Sequence, residues 1–276
     1  MIPQTETDKR VKEAMKYMDR VVDLMALSDT DIKAIIRRNT KKLIDKACTY
    51  KSLDISFQFP ANDNLEQAVS EILDQTRTQL FNAIYISCYN ADYIAHEKEG
   101  ETHTDKYLLA FLGLHIAGQT IEDRIRVYIN QFRSEIEAYI AIGISKNMNP
   151  AQILNYYLSW LKNPLSSPLI LEAIRKQGYA ANLITSRGIS YKNKYKSAFN
   201  SLLRLQQDST IRAYNHAISS IWQNNPNIAG WYTVRGSTYP CDICDDNAGV
   251  YHTSDDFFYG YHPRCCCIML PVYVWD

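Results

Sequence analysis

Cys241-x-x-Cys244, then seventeen residues, then His262-x-x-Cys265-Cys266-Cys267 is the pattern that most limits what this chain can build. Two thiolates at Cys-x-x-Cys spacing face one ion across a single turn, and a later His/Cys pair can close a tetrahedron. The residues from 226 to 276 hold only short apolar runs, too few to bury a core unaided, so a metal would supply folding free energy directly. One structural zinc ion is therefore the expected cofactor. Six groups compete for about four places. In an extended segment Cys265 and Cys267 point to one side and Cys266 to the other, which sets Cys266 aside. Cys241, Cys244, His262 and Cys265 are favoured, with Cys267 able to replace either of the last two. His252 falls in an expected strand and is read as half-buried or on the surface. The plainer alternative is a chance cluster or a redox pair.

The N-terminus has no basic stretch leading into an apolar one, so no signal peptide is expected and the seven cysteines are read as thiols or ligands, not as a disulfide framework. Cys48 and Cys88 lie on apolar helical faces and are expected to be small core residues. Nearly half of the chain is hydrophobic, which excludes global disorder. The apolar run from Tyr107 to Gly118 is far short of the roughly 20 residues that a bilayer span needs, so it is read as a buried helix and no stable membrane insertion is expected.

Upstream of residue 225 the apolar spacing is helical almost throughout. Val11, Met15, Met18, Val22 and Met25 form one stripe, and Ser28 with Asp31 resembles a capping box opening a second helix through Ile32, Ile36 and Ile44. Tyr50 to Pro60 reads as a strand or extended linker. Asp63 or Asn64 is expected to cap a third helix, residues 97 to 106 to form a polar surface loop, and Thr120 with Asp123 to open a fourth helix. Asn149-Pro150 opens a helix that runs to Leu161, and a last long helix carries Tyr195, Phe199, Leu202, Tyr214 and Trp222. After Asn224-Asn225-Pro226 the pattern changes to β-branched and aromatic runs at 231–234, 249–252 and 268–274. The expected fold class is mainly α: a helical body over 1–225 and a small zinc-stabilised α+β module over 226–276.

Enzyme signatures are missing. A Pro-Cys-x-x-Cys string is shared with nucleobase deaminases, but those need an upstream His-x-Glu and no histidine here has glutamate two positions later. There is no His-Glu-x-x-His, phosphate-cradling glycine loop or nucleophile elbow. Residues 228–276 carry six aspartates against Arg235 and Arg264, the wrong sign for phosphate. Lys plus Arg equals Asp plus Glu over the chain, which argues against a whole-chain nucleic-acid binder. Residues 175–212 depart from that balance, with eight bases (Arg175, Lys176, Arg187, Lys192, Lys194, Lys196, Arg204, Arg212) against Asp208 alone, and Tyr179, Tyr191 and Tyr195 among them. Contact with DNA or an acidic partner surface is one reading of this stretch; a solvated helix face is the other.

Trp231, Cys241-x-x-Cys244, Asp246-Asn247-Ala248-Gly249-Val250-Tyr251, His262-Pro263-x-Cys265-x-Cys267 and Leu270-Pro271-Val272 together resemble the C-terminal signature of Mu F-like phage head-morphogenesis, or minor capsid, proteins. Arg212-Ala213-Tyr214-Asn215 is similar to a string in that family's preceding helix, and the residues from Ile121 onward resemble its helical body. The resemblance covers roughly residues 118 to 275. Gln207-Asp208-Ser209 replaces the usual Arg-Thr-Glu, and Cys266 replaces a common Arg. The resemblance implies a non-enzymatic virion protein inside the phage head, present in the host cytoplasm during assembly. Its implied partners are the portal protein and possibly other capsid or ejected proteins, and its implied role is head assembly and genome delivery. The chain ends soon after Cys267, so no toxin domain of the kind some relatives carry is expected. The rivals are a zinc-dependent hydrolase or nuclease using His252 or His262 with Asp255 and Asp256, and a protein-binding adaptor outside the virion.

Overall fold

The computed structural model describes residues 4–50, 57–177 and 197–275. It is mainly helical, with one small three-stranded sheet. The helices are α1 (Gln4–Ala47), α2 (Asp63–Glu99), α3 (Asp105–Leu112), α4 (Ile121–Ser145), α5 (Pro150–Ser159), α6 (Pro168–Gln177), α7 (Ala198–Gln223) and a short α8 (Asp242–Asn247). The strands are β1 (Ile228–Val234), β2 (His252–Thr253) and β3 (Ile268–Tyr273). The change from helix to strand falls between Gln223 and Ile228, where the sequence pattern changes.

Several helix boundaries differ from the sequence expectation. Ser28 does not cap a second helix, because α1 runs unbroken past it. Its hydroxyl bonds back to the Leu24 carbonyl at 3.0 Å and to Ser87 Oγ at 3.1 Å, which lets a polar side chain sit buried inside a helix. Asn62, not Asp63 or Asn64, caps α2, its Oδ1 accepting from the Leu65 N–H at 3.0 Å. α2 continues to Glu99, into the expected loop, and the run from Tyr107 is helical only to Leu112. The expected cap at Asn149 holds. Its side chain accepts from Gln152 N at 2.9 Å while Gln152 returns a bond to Asn149 N at 2.8 Å, and Pro150 occupies the first turn. Cys88 is a core residue, whereas Cys48, at the end of α1, is only half-buried.

The chain forms two compact units. One comprises Met1–Asp29, Ala83–Ile121 and Arg204–Asp276; the other comprises Thr30–Asn82 and Glu122–Leu203. In the second unit Ile32, Leu43, Leu65, Leu80, Phe132 and Tyr157 are buried. Arg133 donates two bonds to the Glu66 carboxylate at 2.8 and 2.6 Å. The same unit buries two further carboxylates. Glu135 accepts from the Ala198 N–H at 2.8 Å, at the start of α7, and Glu137 accepts from the Phe59 N–H at 2.6 Å.

The first unit contains the sheet and the C-terminal cysteines. Met18, Ile84, Cys88, Phe111, Ile211 and Trp222 are buried there. A polar network links α1, α2 and α7 within it: Ser87 Oγ lies 2.7 Å from Thr210 Oγ1, and Gln206 donates to both, at 3.0 and 3.1 Å. Three helices joined by satisfied hydroxyls hold one register, because a slip would strand buried polar atoms. Trp222 closes the end of α7 by donating to Glu99 Oε2 at 2.7 Å.

The sheet runs β2-β1-β3, all antiparallel, with Trp231 opposite His252 on one side and Pro271 on the other. Pro271 is tolerated because β3 is an edge strand with no ladder bond to lose on its outer side. The Trp231 indole donates to the Asp256 carbonyl at 3.0 Å and stacks on His252 at 4.2 Å. The sheet is tied to α7 by a Phe258 N–H donated to Ser219 Oγ at 3.2 Å, and by His216, whose Nδ1 lies 3.2 Å from Tyr259 Oη.

A cysteine and histidine candidate metal centre

The candidate centre is assembled by three short segments of the first unit. Cys241 precedes α8 and its carbonyl accepts the Asp245 N–H at 2.9 Å, so Cys241 and Cys244 are one helical turn apart. The second segment is a turn in which the Cys265 N–H bonds to the His262 carbonyl at 3.1 Å. Gly260 approaches it at φ +90°, where a Cβ would stand 3.0 Å from Cys265 Cβ. Arg264 holds a left-handed φ of +62° within the turn, a conformation that costs a side-chain-bearing residue about 1–2 kcal/mol. The third segment follows β1. A Cβ on Gly236 would lie 1.8 Å from the Cys266 carbonyl oxygen, so the backbone passes too close for any side chain. The Arg235 guanidinium ties the segment to α8 by bonding the Asp245 carboxylate and the Tyr239 carbonyl.

Two triads of ligand atoms result, each within 4.8 Å: Cys241, Cys244 and His262, and Cys244, Cys265 and Cys267. Cys244 belongs to both. All five residues named from the sequence are thus brought together and could hold a metal ion. Cys244 Sγ lies 3.1 Å from His262 Nε2 and 3.8 Å from Cys265 Sγ. His262 Nδ1 lies 2.9 Å from the Pro263 carbonyl, the contact that turns Nε2 towards a ligand position. Cys265 and Cys267 are buried and Cys266 is half-exposed, donating to the Arg264 carbonyl at 3.5 Å, so the alternation expected of an extended segment is present. Cys267 belongs to the fully buried triad, whereas Cys241 and His262 are partly exposed. A cavity of about 200 Å³ borders the centre.

The Cys265 and Cys267 thiols share a bond that pulls Cys265 down and pushes Cys267 up, while burial raises Cys244. A cation bound among them would favour the thiolate form of each.

His252 belongs to neither triad and is occupied in stacking on Trp231. Asp256 closes its own turn, its Oδ2 accepting from both the N–H and the hydroxyl of Thr253 at 3.1 Å. Within the basic stretch, Arg187, Lys192, Lys194, Lys196 and the three tyrosines lie outside the described residues. Arg212 is engaged, donating to Asp208 Oδ2 at 2.9 Å. No described helix is long and apolar enough to cross a membrane.

Sequence reasoning missed a second group, Asp92, His96 and His103. Its signal was an aspartate and a histidine four residues apart on one helical face, with another histidine seven residues on. Comparison of the chain with protein-family models, with curated proteins and with solved structures found no match.

Proposed function

We propose that this chain is a structural, non-enzymatic minor component of a tailed-phage head, associated with the portal inside the capsid, and that its C-terminal module is held by one zinc ion. The observation that supports the reading is that the two stretches on which the family resemblance rests meet through Asp208, which itself departs from the family's string and also holds Arg212. Asp208, in the α7 turn just before Arg212-Ala213-Tyr214-Asn215, accepts from the Arg264 N–H inside the His262–Cys267 segment at 3.3 Å.

Zinc is supported by the donor set and the spacing. Tetrahedral zinc with sulfur ligands at about 2.3 Å sets S···S near ~3.8 Å, the Cys244–Cys265 separation. Cys244, Cys265 and Cys267 are taken as three ligands, with Cys241 or His262 as the fourth. The ion's role is to fold the module, as the sheet has only three short strands.

Quantitative mass spectrometry of purified phage particles from the source tests the role. Peptides of this chain at low copy relative to the major capsid protein are expected. Their absence from intact particles overturns the virion reading.

A further inference from the structure

The first unit carries a second constellation with a different chemistry, built where α2 ends. Asp92 and His96 are four residues apart and share one face of the helix. Gly100, at φ +70°, then stops α2: its N–H bonds to the Glu97 carbonyl at 3.2 Å and the Glu101 N–H reaches back to the His96 carbonyl at 3.0 Å. This closure turns the chain back on itself, and His103 lands over the helical turn just completed. One carboxylate oxygen of Asp92 and one ring nitrogen of each histidine lie within 4.8 Å of one another. His103 Nε2 is 2.8 Å and His96 Nδ1 is 3.4 Å from Asp92 Oδ2.

Burial makes this arrangement unusual. The Asp92 side chain is 0% exposed and that of His96 is 2% exposed. Among the described residues neither Asp92 oxygen accepts a well-directed hydrogen bond; His103 Nε2 approaches Oδ2 at 2.8 Å without the geometry of one, and His96 Nε2 makes none. A buried carboxylate met only by two imidazoles, neither in good hydrogen-bond geometry, is costly unless a cation answers it. His96 Nδ1 lies 2.9 Å from the Asp92 backbone carbonyl, the kind of bond that orients a ligating imidazole and leaves Nε2 with its lone pair. Aromatic rings surround the group: Tyr89 packs edge-on to His103 at 4.9 Å and Tyr107 stacks on His96 at 5.6 Å. A polar cleft of about 430 Å³, lined by His96, Glu101, Thr102 and Asn224 among others, gives access from solvent.

We propose that Asp92, His96 and His103 form a binding site for a divalent first-row transition ion of the zinc class, with its remaining coordination positions facing the cleft and open to water or a small anion. Two imidazoles and one carboxylate suit zinc, cobalt or iron over calcium and magnesium, which take oxygen ligands. Three protein ligands with an open position differ from the closed, sulfur-rich pattern of the cysteine centre. The site uses none of that centre's residues and stands whether or not the virion reading does.

Cobalt(II) titration of the chelator-stripped full-length chain tests it. The cysteine centre should announce itself by sulfur-to-cobalt charge transfer, and the second site by a further equivalent bound without that band. His103→Asn should lose the further equivalent while keeping the charge-transfer band and the helical circular dichroism; Cys265→Ser should do the reverse. Unchanged cobalt stoichiometry and spectrum in a folded His103→Asn chain overturns the proposal. Should that variant not fold, cadmium-113 resonance on the unaltered chain decides. A signal in the nitrogen/oxygen range beside the thiolate signal supports the site, and a thiolate signal alone overturns it.

Discussion

Asp208 and Arg264, 56 residues apart in sequence, are joined by a 3.3 Å hydrogen bond from the Arg264 N–H to the Asp208 carboxylate. The same carboxylate accepts from the Arg212 guanidinium at 2.9 Å and is almost fully buried. One side chain thus anchors a left-handed residue of the His262–Cys267 turn to the helix beneath it. Asp208→Ala should leave a buried backbone donor and a guanidinium unanswered, costing about 1–3 kcal/mol. Asp208→Asn, which keeps an acceptor, should cost less. Denaturant unfolding measures both, and amide exchange should locate the loss in 257–275 and α7.

Gly236 is held by proximity, not by its dihedral angles. A methyl group there would collide with the Cys266 backbone carbonyl, which no rotamer change relieves. Gly236→Ala is expected to destabilise the module by several kcal/mol, on the order of the larger overpacking penalties, and to weaken metal retention. Wild-type metal content and melting temperature in that variant would refute the close approach.

If the proposed ion folds the C-terminal module, its removal should act locally. Chelation or Cys265→Ser is expected to expose the 231–275 segment to protease while most of the helical circular dichroism remains, because metal binding free energy is folding free energy for a module this small. Equal protease resistance before and after chelation would show that the module holds itself together without an ion.

Two buried groups should give the stability curve opposing slopes with pH. Burial pushes the Glu135 carboxyl up to about 8, against bonds from Ala198, Tyr157 and Gln131 that pull it down. The folded chain therefore keeps this proton where the unfolded chain has lost it. The contribution is full below about pH 4.3 and is lost as pH rises towards 8, by up to about 1.4 kcal/mol per unit. Burial lowers the His216 imidazole to about 4. Its contribution is full above about pH 6.5 and is lost as pH falls towards 4. Glu135→Gln should flatten the first slope and His216→Phe the second, read from urea midpoints across that range.

Much of the helical plan and of the cysteine centre was legible in the chain. Apolar spacing at three and four residues identifies α4, α5 and α7 because a helix shows one face to its core whatever that core is made of. Cys-x-x-Cys and the alternation of Cys265 with Cys267 are local geometry, so the five candidate ligands could be named before any fold was known. Ser28 shows where local reading stops. A serine followed by an acid three residues on is a cap only where the helix ends, and here Ser87 satisfies the hydroxyl from another helix, so α1 continues. Which of the five candidates are covered is also decided by folding, which buries Cys267 beside Cys244 and Cys265 while leaving Cys241 and His262 partly exposed.

The Asp92, His96 and His103 group belongs wholly to tertiary structure. His103 looks like a loop residue in a polar run, and only the reversal at Gly100 returns it to the helix it has just left. Composition and spacing determined that this chain would be mainly helical and that its C-terminal cysteines would gather. Which ionisable groups are buried against one another was decided by packing, because desolvation depends on what covers a side chain and not on its neighbours in sequence.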